Sequence, residues 1–219
     1  MTSRCVHPDL EVFPPNRPAD GGSAWLLRSG TGRAVLVDVP ELTPPHLERL
    51  RAEPRGVVVL THRRNHGGCR QLQRLLGWPV VVQEQEAYLL PQVEPRQSFA
   101  AELELEPGLR LLWTPGPTPG SCVLHWQQGP HDVLFCGRLL LPAGPGEVRA
   151  RPGPGTFHWP RQRRSLGRLL AWLPPESPAE IACGAGLGAL DAVPLVPSGR
   201  GALEAALATA PPGSVAADG

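Results

Sequence analysis

The sequence predicts an α+β fold in which two pairs of strands flank a series of strand–helix units. Residues 24–28 and 34–38 are short apolar runs separated by Ser-Gly-Thr-Gly-Arg, which is typical of a β-hairpin. Residues 121–126 and 132–136 form a second pair of the same kind. Between the pairs, a β-branched run at 57–60 leads into leucines at helical spacing. These observations indicate mixed sheets covered by amphipathic helices.

The first half of the chain alternates strands with short helices. Thr43 followed by two prolines indicates the start of a helix that packs its leucines on the first hairpin. After the central strand, three leucines at helical spacing predict a helix at 69–76, which Gly77 ends. A strand at 78–82 and a short helix at 83–90 are expected next.

The second half of the chain contains the second strand pair and two further helices. Leu103 and Leu105 alternate with glutamates, which is typical of a strand with one face in water. After a strand at 109–113, the proline- and glycine-rich residues 114–121 predict a rigid turn before the second pair. The last predicted elements are a helix at 165–173, a strand at 180–183 and a helix at 201–210.

We expect one domain at residues 21–210, preceded by an extended surface segment at 1–20 and followed by a disordered tail at 211–219. The first residues contain no apolar stretch typical of a secretion signal, and no run of about 18 apolar residues occurs. The five cysteines show no Cys-x-x-Cys spacing, so neither a disulfide framework nor a zinc knuckle is indicated. These features indicate a cytoplasmic protein with no membrane segment.

Charge is balanced over the whole chain but is unevenly distributed along it. All 21 basic residues are arginine, which excludes chemistry that depends on a lysine amine. Seven arginines lie between residues 138 and 168 beside aromatic residues, a composition that can bind nucleic acid. The net charge of only +1 argues against a nucleic-acid partner. The six acids between residues 84 and 106 are expected to face solvent.

The polar loop after the central strand contains two histidines, His62 and His66, four residues apart. Two histidines at this spacing can hold a metal ion, but transition-metal sites usually need three or four protein ligands. The alternative is that both side chains hydrogen-bond the loop to its neighbours. The residues alone leave these two interpretations open.

Several motifs follow one another in a recognisable order. Thr61-His62 ends a strand, the turn at 114–121 reads Thr-Pro-Gly-Pro-Thr-Pro-Gly-Ser, and Val-Leu-Phe-Cys-Gly and Gly-Ala-Gly occupy 133–137 and 184–186. This order resembles that of the metallo-β-lactamase superfamily over roughly residues 21–190, and Asp38 matches the first-motif aspartate of that family. The resemblance implies a four-layered αββα sandwich: two mixed sheets face to face, helices outside, and a site at one edge.

Active members of that superfamily carry a set of metal ligands that this chain retains only in part. The resemblance places their His-x-His-x-Asp-His ligands, in a stretch one residue shorter than that motif, and their later His, Asp and His ligands at His62, Arg64, Asn65, His66, Pro117, Arg138 and Ala185. Two of the seven ligands remain, and in the family those two belong to different metal ions. Because a guanidinium does not lose its proton in proteins, Arg64 and Arg138 would repel a divalent cation. We therefore expect no metal cofactor.

The preferred hypothesis is a non-catalytic pseudo-hydrolase that binds a small anionic ligand or a protein partner in this cleft. If Arg64 and Arg138 converge there, their guanidinium groups suit a carboxylate or a phosphate. The alternative is that one or both pair with Asp38 or another acid, or turn outward. The candidate cleft residues are Asp38, His62, Arg64, Asn65, His66, Pro117, Arg138 and Ala185.

Two other hypotheses stay open. The chain could be a working hydrolase of esters, lactones or thioesters with one zinc or iron ion, held by His62, His66 and further ligands drawn from His125, His158, Cys136 and Cys183. Alternatively, the arginine-rich segment could bind RNA, with the sandwich as its scaffold. A serine mechanism is not indicated, since no nucleophile motif surrounds Ser121, which is expected to cap a turn.

Overall fold

The structure is a computed structural model of the 219-residue chain, and it describes residues 3–16, 20–190 and 193–212. This part of the chain forms a seven-stranded sheet, a six-stranded sheet and a small two-stranded sheet. Five α-helices accompany the sheets within the same residues. None of the described helices is long and apolar enough to cross a membrane.

The first sheet arranges its seven strands side by side in chain order. They are β1 (Arg4–His7), β2 (Leu10–Val12), β3 (Trp25–Arg28), β4 (Ala34–Val37), β5 (Gly56–Val59), β6 (Val80–Gln83) and β7 (Arg96–Phe99). Strands β1 to β4 pair antiparallel, whereas β4 to β7 pair parallel. The parallel part requires crossover connections, and these are supplied by α1 (Pro44–Arg51), α2 (Cys69–Leu76) and α3 (Glu84–Ala87).

The second sheet is built from the later part of the chain. The remaining strands are β8 (Glu102–Glu106), β9 (Leu109–Trp113), β10 (Cys122–Gln128), β11 (His131–Gly137), β12 (Leu141–Gly144), β13 (Glu147–Arg149), β14 (Glu180–Cys183) and β15 (Leu195–Pro197). Six of them pair in the order β15-β14-β11-β10-β9-β8, while β12 and β13 form a separate hairpin. Two helices follow β13 and β15, respectively: α4 (Trp159–Trp172) and α5 (Gly199–Thr209).

The two large sheets face each other across a shared apolar core. Successive side chains of a strand point to opposite faces, so Cys122, Leu124 and Trp126 of β10 all point between the sheets. They join Trp25 of the first sheet and Phe135 of the second, whose rings meet edge to face with centroids 6.0 Å apart. The inner layers of the molecule are therefore two sheets held together by interlocking side chains.

The helices cover the outer face of each sheet. Leu50 of α1 and Leu72 of α2 are buried against the first sheet. Leu166 of α4 and Leu203 of α5 are buried against the second sheet. Each helix thus buries one apolar stripe and exposes its polar face, as its leucine spacing predicts. The four-layered αββα sandwich expected from the sequence is confirmed.

The N-terminal segment differs from the expectation of an extended surface strip at 1–20. Strands β1 and β2 continue the first sheet beyond β3, and the β1–β2 pair is antiparallel. Leu10 and Val12 are buried between the sheets, and Phe13 is buried on the helix side. The prolines around this segment argued against strands in the sequence. The alternating apolar side chains of β2 nevertheless complete the core. The domain therefore begins before residue 21.

Further differences concern short elements and one helix end. Helix α4 begins at Trp159 rather than at residue 165, because the His158 side chain accepts a hydrogen bond from the Arg161 amide and Pro160 fits the first turn. Strands β7, β12, β13 and β15 were not predicted. Residues 213–219 of the predicted tail lie outside the described residues.

Candidate functional site

Asp38 closes the end of β4 and ties it to β5. It is buried, at φ +63°, in a left-handed conformation that aspartate tolerates better than most residues. Its Oδ1 accepts a hydrogen bond from the Thr61 amide at 2.8 Å, and its Oδ2 accepts one from the Thr61 hydroxyl at 2.7 Å. Burial raises the pKa of Asp38 to about 6, although the bonds from Thr61 oppose that shift. Both carboxylate oxygens are thus used within the fold.

His62 follows directly on Thr61 and is equally buried. Neither ring nitrogen of His62 has a hydrogen-bond partner among the described residues. Burial lowers the pKa of His62 to about 3, and the nearby charges of Arg138 and Arg64 lower it further. The imidazole is therefore neutral at physiological pH. The next residues, Arg63–Asn65, form a 3₁₀ turn in which Asn65 is also buried.

His66 and Glu86 lie together under the turn at 114–121. Burial lowers the pKa of His66 to about 4, so its ring is neutral and its 3.9 Å separation from Glu86 Oε2 is not an ion pair. Glu86 Oε1 accepts a hydrogen bond from the Gly120 amide at 3.0 Å. Glu86 was expected to face solvent with the other acids of its segment, but it is buried. It has a structural role instead, because it anchors the turn to α3.

The turn at 114–121 is also held from the opposite side, by α4. The Ser165 hydroxyl donates to the Pro115 carbonyl at 2.7 Å, and the His158 amide donates to the Gly116 carbonyl at 3.0 Å. Within the turn, the Ser121 hydroxyl accepts from the Thr118 amide at 2.9 Å, as expected for a residue that caps a turn. The turn is therefore fixed between the two halves of the molecule.

Three arginines line one cavity of about 270 Å³ at this edge of the sandwich. Arg64 comes from the turn after β5, Arg138 follows β11, and Arg151 lies just after β13. Pro117 lines the same cavity, so three of the predicted cleft residues are brought together. No acidic side chain occurs among the described residues that line it. The other lining residues are Thr118, Leu141, Pro152, Gly153, Pro154, Gly155, Thr156 and Gln162.

Two glycines lie in close contact with other residues beside the arginines of the cavity. Gly137 has φ +54°, and a Cβ on it would lie 2.7 Å from the Thr61 hydroxyl oxygen, so only glycine lets the end of β11 meet the end of β5. Arg138 is the next residue. A Cβ on Gly155 would meet the Arg64 guanidinium, so the Arg64 side chain would have to shift. The loop at 151–156 thus contacts Arg64 directly.

Asp20 contacts both Arg64 and Arg138. Its Oδ2 is 3.6 Å from Arg64 Nη1, and its backbone carbonyl accepts a hydrogen bond from Arg138 Nη2 at 3.0 Å. Arg64 therefore pairs with an acid, as the alternative hypothesis expected, but the acid is Asp20 rather than Asp38. Because the Asp20 side chain is 73% exposed, that pair is strongly screened by water. Burial lowers the pKa of Arg138, and the neighbouring charge of Arg64 lowers it further.

The other predicted cleft residues do not line the cavity. Asp38, His62, Asn65 and His66 form a buried polar layer close to Arg138, whose charge influences both Asp38 and His62. Ala185 is buried, and its backbone forms a β-bridge with Gly22. Its methyl group offers no donor or acceptor. The predicted set therefore divides into an arginine cavity and a separate polar layer.

The additional metal ligands considered for His62 and His66 are engaged elsewhere. His125 points to the outer face of its sheet and bonds Asp132 at 2.7 Å, and His158 caps α4. The sulfur atoms of Cys136 and Cys183 lie 3.7 Å apart in the apolar cluster beneath α4 and α5. In the described ranges, no group of three or more His, Cys, Asp or Glu side chains could hold a metal ion.

The family's two-metal centre does not fit the residues present. The nitrogens of His62 are buried, have no hydrogen-bond partner among the described residues and lie near the positive charges of Arg64 and Arg138. A divalent cation there would meet two fixed cations where the family supplies anionic or neutral ligands. The donor set is thus unsuited to that centre.

Sequence reasoning missed three residues of this region. Arg151 belongs to the arginine-rich segment, but nothing local distinguishes it from the other arginines. Gln162 precedes the buried Leu166 by one helical turn. This i, i+4 spacing places Gln162 on the apolar face of α4, which is the signal that could have identified it as buried. Glu86 lies in the four-residue helix α3, which ends at Ala87, so no such spacing identifies it.

The comparisons with known proteins agree with this architecture. The model of the metallo-beta-lactamase superfamily matches residues 47–174. A protein solved in a di-iron-bound form, TTHA1623, is 23% identical, with 87% of this chain and 96% of that chain covered and a TM-score of 0.60. An archaeal superfamily member from Sulfolobus tokodaii is 16% identical, with 94% and 86% covered and a TM-score of 0.59.

A third solved structure is a B3 metallo-beta-lactamase with an active-site glutamic acid. It is 18% identical, with 95% of this chain and 89% of that chain covered and a TM-score of 0.61. At such identities the structures establish a shared fold alone. The comparison with curated protein sequences gave no match. The family model covers more than half of the length of this chain, so the chain belongs to the metallo-β-lactamase superfamily.

Proposed function

We propose that this chain is a non-catalytic member of its superfamily that binds a small anionic ligand in the arginine cavity. The observation that supports the proposal is the convergence of Arg64, Arg138 and Arg151 on one cavity of about 270 Å³. Permanent positive charge concentrated in a small concave site attracts anions and holds them by charge-assisted hydrogen bonds.

The type of side chain favours a carboxylate or a phosphate. Each guanidinium presents several N–H donors in a planar fork, which matches the paired oxygens of these groups. The Asp20 carboxylate is the acid that contacts Arg64, and its exposure leaves it a weak competitor. The cavity volume of about 270 Å³ lies just below the usual range for ligand sites, about 300–1,000 Å³, which suits a ligand of small-metabolite size.

The same residues argue against hydrolysis. The superfamily's reaction relies on metal ions to acidify water, and the positions of those ligands hold two arginines, a proline and an alanine. The hydroxyl of Ser121 is engaged within its own turn, so it is not paired with a histidine as a nucleophile would be. We therefore assign the cleft to binding.

Isothermal titration calorimetry with phosphate and with small carboxylates tests the proposal. The double variant Arg64→Ala/Arg138→Ala should bind at least tenfold more weakly than the wild type, since hydrogen bonds to charged groups each contribute about 1.5–3 kcal/mol. The matched control is Arg70→Ala/Arg74→Ala on α2, which removes the same charge outside the cavity and should leave the affinity unchanged. Equal affinity of the double variant and the wild type would contradict the proposal.

Elemental analysis of untagged protein, purified without chelator, separates this proposal from the hydrolase alternative. We expect zinc, iron and manganese near zero per chain. One observation favours the hydrolase alternative: the nitrogens of His62 and Nε2 of His66 have no hydrogen-bond partner among the described residues. About one metal ion per chain, lost in His62→Ala/His66→Ala, would favour a mononuclear site and call for assays on esters, lactones and thioesters.

A further inference from the structure

Three separate segments of the chain contribute one arginine each to the arginine cavity. Arg64 follows β5, Arg138 follows β11 and Arg151 follows β13, and all three line the cavity. Arg151 is exposed, the side chain of Arg64 is 37% exposed, and Arg138 is partly exposed. The three charged side chains are therefore accessible to a ligand that enters from solvent.

Positive charge exceeds negative charge around this cavity. The lining residues other than the arginines are neutral. The acid that contacts Arg64 and Arg138 is Asp20, whose carboxylate lies largely in water. The charge of Asp38 also influences Arg138, but Asp38 is buried and both of its oxygens accept hydrogen bonds from Thr61. Three cations thus face one exposed carboxylate and one that is bonded within the fold.

Two of the arginines are close enough to repel each other. Burial lowers the pKa of Arg138, and the positive charge of Arg64 lowers it further. The Coulomb energy of an anion among fixed cations is proportional to the charge of the anion, so two negative charges offset this repulsion more than one does. A phosphate monoester or a dicarboxylate also offers more acceptor oxygens to the three guanidinium groups than a single carboxylate does.

We propose that the arginine cavity selects doubly charged anions, such as phosphate monoesters or dicarboxylates, over singly charged anions of similar size, and that Arg151 supplies the charge that decides this selection. The inference rests on the proposed anion-binding function and adds the chemical class of the ligand. Arg64 and Arg138 bind either kind of anion, and the third positive charge favours the doubly charged kind. Phosphate and carboxylate ligands share this chemistry, and the experiment distinguishes between them.

Calorimetry with two matched pairs of ligands tests the inference. The pairs are methyl phosphate against dimethyl phosphate, and succinate against succinamate. The measurements are made at about pH 7.5, where a phosphate monoester is mostly a dianion because its second pKa is about 6. In the wild type, the doubly charged member of at least one pair should bind about tenfold more tightly. A preference in the phosphate pair alone identifies a phosphate monoester, and one in the succinate pair alone a dicarboxylate.

Two variants should shift this preference in opposite directions. Arg151→Gln removes a positive charge, so the preference should fall about threefold while the singly charged ligands still bind. Asp20→Asn removes a negative charge beside Arg64 and Arg138, which helps a dianion more than a monoanion, so the preference should rise about twofold. The matched control is Arg74→Gln on α2, which removes a positive charge outside the cavity and should keep the wild-type preference.

Two results would overturn the inference while leaving the proposed function in place. One is equal affinity of the wild type for both members of each pair, which would show that the cavity does not select by charge. The other is a preference that persists in full in Arg151→Gln or falls in Asp20→Asn, which would assign the selection to another cause. Absence of binding for all four ligands would remove the proposed function itself, and this inference with it.

Discussion

Asp38 and His62 lie at the ends of neighbouring parallel strands, are equally buried and occupy matching positions of the same family site, yet their hydrogen bonding is opposite. Both oxygens of Asp38 accept bonds from Thr61, whereas neither nitrogen of His62 finds a partner among the described residues. The two retained residues therefore take different parts in this fold. Asp38 serves as a structural tie, and His62 carries hydrogen-bonding capacity that the surrounding protein does not use.

The largest expected effect that distinguishes the two residues is on stability. Asp38→Ala removes both bonds to Thr61, leaves the Thr61 amide unsatisfied and places alanine at φ +63°. We expect the free energy of unfolding in urea to fall by about 3 kcal/mol. The control Asp38→Asn keeps an acceptor and tolerates the left-handed backbone, so it should lose less. If the free energy of unfolding fell by less than about 0.5 kcal/mol in Asp38→Ala, the hydrogen bonds between Asp38 and Thr61 would not stabilise the fold.

The two residues should also affect the pH dependence of stability with opposite sign. The pKa of Asp38 is raised to about 6, so its contribution is fully present below its unfolded value and is lost as pH rises through about 6. The pKa values of His62 and His66 are lowered to about 3 and 4, so their contributions are present above about 6.5 and are lost as pH falls. Near pH 5, unfolding takes up about one proton from these three groups together.

Urea unfolding between pH 5 and 6 measures how the free energy of unfolding changes with pH, and therefore how many protons these groups take up. Removing His62 should make the slope of unfolding free energy against pH less positive by about 1.2 kcal/mol per pH unit, and Asp38→Asn should make it more positive by about 1 kcal/mol per pH unit. Other titrating groups contribute to each curve, but they cancel in the difference from the wild type. If the two variants changed the slope in the same direction, the expected opposite effects of Asp38 and His62 would be refuted.

The smallest expected effect is the stability change in His62→Leu at neutral pH. Because a buried polar ring without partners gains nothing from hydrogen bonding, replacing it by an apolar side chain should leave stability unchanged or raise it by about 1 kcal/mol. Thermal unfolding followed by circular dichroism checks this result. A fall of more than about 2 kcal/mol would instead reveal a partner for His62 in solution, such as a bound ion or an ordered water molecule.

The fold could be predicted in large part because its signals are local. The hairpin at 24–38, the helix that ends at Gly77 and the turn at 114–121 each follow from a few neighbouring residues. The first two strands were missed because prolines flank a short apolar alternation, and only the sheet they join makes them stable. Pairing partners distant in sequence leave no local signal.

The site was predictable only in its outline. The resemblance identified Arg64 and Arg138, but their position in one cavity depends on a positive φ at Gly137 and on a loop that contacts Arg64. The burial of Glu86 within an acidic run and the orientation of Gln162 depend on contacts made by remote segments. Such features are decided by tertiary packing, so composition and spacing indicate residue types without indicating their partners.

The turn at 114–121 is bonded on one side to Glu86 from the first half of the chain and on the other side to α4 from the second half. The cavity beside it takes Arg64 from the first half and Arg138 from the second. Neither half alone contains both arginines, so unfolding of either half would remove the proposed anion site. If the proposed anion binds there, thermodynamic linkage predicts that its occupancy stabilises both halves together rather than one edge of the sandwich.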